Sequence, residues 1–185
     1  MKKWLIPIGI IVILGVMLTS GYNNLVKNSE NVNGKWSQIQ NQLQRRADLI
    51  PNLVETVKGY AAQEKSIFTE VAEARAKLAG AATVGEAAQA DQALTGALSR
   101  LLAIAENYPQ LKSDANFRAL QDELAGTENR IATARMDYNN AVQLYNTKIK
   151  TFPTSLYAGI FGFGQKDYFE AEENANKVPG VNFSQ

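Results

Sequence analysis

Four charged residues stand at or beside positions where apolar ones are expected, and they hold most of this sequence's capacity for chemistry. Arg46 and Glu64 fall on an otherwise apolar helical seam, while Glu128 and Arg135, seven residues apart, lie beside the seam of a later segment. A charge turned toward a packed interior is costly unless it is paired. The expected chemistry is therefore ion pairing, Arg46 with Glu128 or Glu64 with Arg135, and the expected role is to select one register of long helices that could otherwise slip. Two alternatives stay open: Arg45 and Arg46 bind the carboxylate of a ligand or partner, or the four charges are simply solvated. An enzyme would have to use carboxylates such as Asp48 and Glu64, because the chain has no His and no Cys. That absence removes the commonest general base, thiol chemistry and the usual zinc sites. No spacing marks a carboxylate-only metal site and no phosphate-cradling glycine loop appears, so neither catalysis nor a cofactor is expected. Nineteen basic and eighteen acidic residues give a net charge of +1, which leaves no bulk field for nucleic acid.

These residues are positioned by heptads. Val32, Trp36, Ile39, Leu43, Arg46, Ile50, Leu53, Val57, Tyr60, Glu64, Ile67, Val71, Ala74 and Leu78 alternate in steps of four and three, and only two of them are charged. The pattern predicts a first long helix over 35–78, ended by the glycines near Gly80. Pro51 interrupts it, with no N–H to donate to Ala47, and a bend or local opening is expected there. A second helix is predicted over 86–107, with Leu98 and Ala105 widening its apolar face and Tyr108-Pro109 ending it. A third starts at Ser113 or Asp114 as N-cap and ends at Phe152-Pro153, with Phe117, Leu124, Ile131, Tyr138, Tyr145 and Phe152 in one row. The repeat of Tyr138-Asn139 at Tyr145-Asn146 is expected to put two tyrosines on a core edge with their hydroxyls near solvent.

The third helix outruns the second by about 17 residues, or some 25 Å at 1.5 Å per residue. Its overhanging apolar seam needs a cover: a break of the first helix at Pro51, the C-terminal tail, or a second copy of the chain. In the tail, residues 167–176 suggest a short acidic helix, followed by an extended end at Val178, Pro179, Val181 and Phe183. The tail is expected to wrap the bundle with its aromatics pinned in grooves. The alternative is a partner or membrane-interface surface built from Tyr157, Ile160, Phe161 and Phe163.

The N-terminal stretch has no charge from Trp4 to Leu18. Trp4 and Tyr22 are 18 residues apart, about 27 Å along a helix, close to a bilayer's hydrocarbon thickness. Trp4, Leu5, Ile6, Ile8, Ile10, Ile11, Val12, Ile13, Leu14, Val16, Met17, Leu18 and Tyr22 are the expected membrane anchor. A cleaved signal peptide is the competing reading, disfavoured because Leu18 fits poorly three residues before a cut after Ser20. Lys2 and Lys3 precede the run, while Lys27, Lys35 and Glu30 follow it, so charge leans toward an N-terminus inside and a bundle outside.

The blocks LQRRADLIPNLVETVKGYAAQE, YPQLKSDANFRALQDELAGTENRIATARMDYNNAVQLYN, the FP turn and the DYF segment resemble the LemA family of bacterial membrane proteins over residues 22–183. The resemblance implies one N-terminal span, an antiparallel helical bundle, an envelope association with genes often encoded near those of membrane metalloproteases, and no established catalysis. It also implies a bundle inside the cell, against the charge count. Gln63 stands where the family pattern often carries histidine, which argues against a catalytic base there.

The reading is an all-α protein: a long antiparallel bundle of three long helices and a short C-terminal one, behind a transmembrane helix. Its segments are an anchor over 1–22, a neck over 23–34 that either flexes or continues the helix, a bundle over 35–153 and an aromatic tail over 154–185. The expected function is a noncatalytic scaffold that self-associates and organises partners at the bacterial inner membrane. The alternative is an adaptor of a membrane protease or envelope-stress complex, using the Arg45/Arg46 region and the tail. Candidate interaction or register residues are Arg45, Arg46, Asp48, Pro51, Glu64, Glu128 and Arg135. Expected partners are membrane lipid, a second copy and an envelope protein, with no nucleic acid.

Overall fold

A computed structural model describes residues 5–170. Among them all the regular structure is helical: α1 (Leu5–Ala61), α2 (Lys65–Gly80), α3 (Val84–Ala105), α4 (Pro109–Ser113), α5 (Ala115–Lys150) and a 3-10 turn at Thr154–Leu156. Local chemistry sets several boundaries. Thr83 and Glu86 form a capping box that starts α3, Pro109 opens α4, and the Asp114 side chain accepts from Phe117 N to start α5. Lys148 and Lys150 lie in the last turn of α5, where they complement its dipole.

α1 and α5 run antiparallel along their length, shown by Lys35 Nζ to Asp137 Oδ2 at 2.8 Å and Tyr60 Oη to Asp114 Oδ2 at 3.1 Å. α2 turns back along α1, and α3 turns back along α2, where Arg100 meets Glu70 at 2.7 Å. The C-terminal part of α1, α2, α3 and the N-terminal part of α5 thus make a four-helix head. Leu53, Val57, Val71, Leu94, Leu101 and Ile131 are buried inside it, each at 0% exposure. Below the head, α1 and the C-terminal half of α5 continue as a two-helix arm. Residues 23–34 belong to α1, with Leu25 and Val32 buried, so the helix continues through the segment expected as a neck.

Three expectations need correction. The first long helix does not reach Leu78, because it ends at Ala61 and the chain reverses over residues 62–64 into α2. Glu64 therefore sits in the turn as the residue before α2 and not in a seam. The heptad phase carries on through a hairpin as smoothly as through a straight helix, so spacing alone does not reveal the break. Phe152 leaves its predicted row: α5 ends at Lys150, and Phe152 is 76% exposed. Residues 167–170 of the predicted acidic helix are not helical, while its remainder and the residues at 178–183 lie outside the described residues.

Pro51 stays inside α1 and does not end it. A proline at 51 leaves the Ala47 carbonyl without its usual partner four residues on. In the hairpin, Arg75 Nε of α2 donates to Ala47 O at 2.8 Å and supplies what the backbone lacks.

At the N-terminal end, no helix among the described residues is long and apolar enough to cross a membrane. Trp4 lies outside the described residues, as do the side chains of Leu5, Ile6, Ile10, Ile11 and Leu14. Ile8, Val12, Ile13, Val16, Met17 and Leu18 are exposed.

Replacing Arg75 by Ala is expected to cost about 1.5–3 kcal/mol, the range for hydrogen bonds to charged groups. In a Pro51→Ala background, where residue 51 regains its N–H, the same change should cost clearly less. Urea unfolding of the four chains in the cycle measures this, and equal costs in both backgrounds would rule the pairing out.

Candidate functional site

The head closes around four charges from three helices. Asp91 of α3, at 0% exposure, accepts from Arg46 Nη1 of α1 through Oδ1 at 2.9 Å and from Arg135 of α5 through Oδ2. Glu128 Oε2 of α5 lies 2.7 Å from the same Arg46 Nη1, though without hydrogen-bond geometry, so it contributes charge more than direction. Burial pushes the Arg46 guanidinium below its ordinary pKa, with Glu128 acting the other way. Burial also lowers Arg135, and the neighbouring Arg46 charge adds to that shift. Two cations and two anions balance, and both oxygens of Asp91 are committed. Arg46 Nε and Arg135 Nε have no acceptor among the described residues. This arrangement ties three helices together through Asp91.

Of the candidates from sequence, Arg46, Glu128 and Arg135 meet here, and the Arg46 to Glu128 pairing is the one expected. The other expected pairing does not form, because Arg135 goes to Asp91 while Glu64 lies 3.4 Å from the Tyr108 hydroxyl. Arg45 faces solvent and pairs with Glu123 on α5. Asp48 accepts from Gln44 on its own helix, at 2.8 Å. Arg46 is 5% exposed, which removes it as a docking residue for a partner. Sequence reasoning misses Asp91, yet it lies one heptad before Leu98 and two before Ala105, the row that widens the apolar face.

Against this cluster lies the tail. After the turn at residues 151–164 the chain runs back along α5, and two asparagines hold it. Asn146 donates to Lys166 O at 2.8 Å and accepts from Lys166 N at 2.9 Å. Asn139 donates to Phe169 O at 3.0 Å and accepts from Phe169 N at 2.9 Å. The Tyr138 hydroxyl donates to Asp167 O at 2.8 Å. Each carboxamide thus pairs with both polar groups of one tail residue, so it reads backbone and not side chain. Phe169, buried, stacks beside Trp36 with centroids 6.3 Å apart, and the Arg135 guanidinium lies 4.6 Å from its centroid. The Tyr-Asn repeat is therefore the tail's docking strip. Its tyrosines are 2% and 1% exposed, deeper than the core edge expected for them. The overhang is covered by the chain's own tail, so the length mismatch no longer calls for a second copy.

A sequence model of the LemA family matches residues 35–183. The chain belongs to the LemA family. It is 33% identical over 184 residues to magnetosome protein MamQ 2 of Paramagnetospirillum magneticum, covering 85% of this chain and 67% of that one. MamQ of Magnetospirillum gryphiswaldense is 31% identical over 184 residues, with the same shares covered. Protein LemA of Metamycoplasma hominis is 25% identical over 156 residues, 82% of this chain and 69% of that one. The family match begins at Lys35, beyond the apolar run, and takes in the LemA head, the charge cluster and the docked tail.

Asp91→Asn is expected to destabilise the head by about 3–5 kcal/mol, because two buried guanidiniums lose their shared countercharge. Arg45→Ala, at an exposed pair, should change stability by no more than about 1 kcal/mol. Paired urea unfolding curves test the contrast. The tail should also respond to alkali. Burial, and then the nearby Asp167, raise the Tyr138 pKa above its ordinary value. A raised folded-state pKa means that this stabilisation is fully present below the ordinary tyrosine range, about pH 10. It is lost as pH climbs through the folded value, where the hydroxyl can no longer donate to Asp167. Amide NMR signals of Lys166 and Phe169 should broaden in that window, and Tyr138→Phe should remove the pH dependence.

Proposed function

We propose that this LemA-family chain is a noncatalytic, membrane-anchored scaffold that holds a four-helix head clear of the bacterial inner membrane and organises partners there. One observation supports it above the rest: a single 57-residue helix, α1, begins in the apolar run and ends as a wall of the head. A transmembrane span joined to a domain by unbroken helix fixes both distance and orientation, which a flexible linker does not. From Tyr22 to Ala61 the helix rises about 58 Å at 1.5 Å per residue. The charge-free run from Trp4 to Leu18 and the exposure of Val12, Ile13, Val16 and Met17 favour lipid as the solvent of its first turns. Lys2 and Lys3 ahead of the run favour a head on the outer face. The magnetosome name of the relatives supports a part in building a cell structure more than in turning over a substrate. Self-association belongs to this reading through exposed apolar side chains such as Met136 and Leu144 on α5. No observation favours the protease-adaptor reading, since its central arginine is buried.

Full-length chain should stay with bacterial membranes through an alkaline wash and need detergent for release. Val12→Lys with Ile13→Lys should shift it to the soluble fraction, since each charge at a span centre costs about 2.5–3.5 kcal/mol on insertion scales. Release of the parent chain by the wash alone would end the anchor reading. Light scattering of the detergent-extracted chain over a wide concentration range should show one defined oligomer. A monomer throughout would strike self-association from the function.

A further inference from the structure

The turn between α5 and the docked tail is pinned to one level of α1. Tyr157, 8% exposed, lies so close to Gly21 that a Cβ there would collide with its hydroxyl. The Phe161 and Phe163 rings meet Tyr22 edge to face, with centroids 5.3 and 5.6 Å away. Gly21 and Tyr22 lie three and four residues past Leu18, about one helical turn beyond the end of the apolar run. While Tyr157 faces inward, other side chains of this turn face out: Phe152 at 76% exposure, Leu156 at 67%, Ile160 at 82% and Phe161 at 51%. Scattered apolar residues are ordinary on a protein surface, but four large ones within ten residues make a patch with a purpose.

The surroundings of the patch are basic. From Tyr138 to Gln165 the sequence has Lys148 and Lys150 and no acidic residue, while Lys166 lies farther up the arm, its Nζ 3.3 Å from Asn33 Oδ1. On the facing part of α1, Lys27 comes before the first acidic residue, Glu30. Apolar side chains at a span's end, rimmed by lysines, have the composition of a segment that enters the headgroup layer of an anionic bilayer. A second copy of the chain would bring the same lysines against this rim, so charge favours lipid over self-contact.

We propose that residues 152–161 form a foot that dips into the bilayer surface beside α1, with Phe152, Leu156, Ile160 and Phe161 in the upper acyl layer and the lysines at phosphate level. The foot rests on the membrane-anchor reading and extends it. A lone helix through a bilayer is free to tilt and to rotate about its axis. A second contact, on one side and rigidly joined through Tyr157 to Gly21, restrains both motions and sets how the arm stands.

The chain has no cysteine, so single-cysteine variants can report depth. Full-length Ile160→Cys, Ile13→Cys and Met136→Cys, each labelled with an environment-sensitive fluorophore, are placed in phosphatidylcholine–phosphatidylglycerol vesicles containing nitroxide-labelled lipids. The label at 160 should lose fluorescence to a nitroxide near the top of the acyl chain, and the label at 13 to a deep one. At 136, on the arm, the signal should survive both. Quenching at 13 with none at 160 would overturn the foot and leave the anchor standing. Absence of quenching at both positions would overturn the anchor and the foot with it.

Discussion

Asp91 is sealed from solvent, and a carboxylate there is tolerated only because guanidiniums from two other helices reach its two oxygens. That requirement constrains the rest of the head. Apolar heptads are forgiving: a helix displaced by seven residues still buries leucine and isoleucine against leucine and isoleucine. A charge cluster is not forgiving, because any displacement leaves an ion without a partner in a low-dielectric interior. Arg46, Asp91 and Arg135 can coincide only when α1, α3 and α5 hold one mutual height. α3 reaches that height only if α2 has first returned along α1. The hairpin at residues 62–64 is thus tied to the cluster as closely as the ion pairs themselves.

The periodicity of this chain is readable because the packing of every long helix repeats it. What the sequence does not display is where a periodic stretch reverses. Ala62, Gln63 and Glu64 include neither glycine nor proline, and Val57, Ala61, Ile67 and Val71 are buried on either side of the turn in near-continuous phase. Sequence points instead to a break at Pro51, where the covalent argument is sound but the compensation is tertiary. A carbonyl freed by proline needs a donor, and Arg75 becomes that donor only after the chain has reversed. Asp91 is hidden differently: an acidic residue on an alanine-rich surface reads as solvated until the row it shares with Leu98 and Ala105 is followed backward. The Arg46 to Glu128 pairing is legible because Arg46 interrupts an apolar row and Glu128 lies beside the seam of α5.

The tail shows how one length of sequence can be interpreted twice. The Tyr-Asn repeat reads as a core edge, and it is also a pair of backbone clamps one heptad apart. Asn139 and Asn146 stand on the same face of α5, so an irregular tail segment is held at two points by a helix without any sheet. Because the clamps bond main chain, tail composition between them is freer than its length. Phe169 is the exception, since Trp36 and Arg135 both touch its ring, and through Arg135 the tail rests on the same charge cluster that aligns the head.

These couplings place mechanical continuity at the centre of the molecule. α1 is at once a wall of the head, one rail of the arm and the start of the apolar run, so a displacement at either end is transmitted by helix and not absorbed by a linker. α5 and the docked tail stiffen the arm by burying Leu25, Val32 and Ile39 along its length. A two-helix arm without the tail would leave Trp36 and Tyr138 open on one side and would bend more readily. The charged interior of this head supplies alignment, because Arg46 and Arg135 reach Asp91 together only when α1, α3 and α5 hold one height.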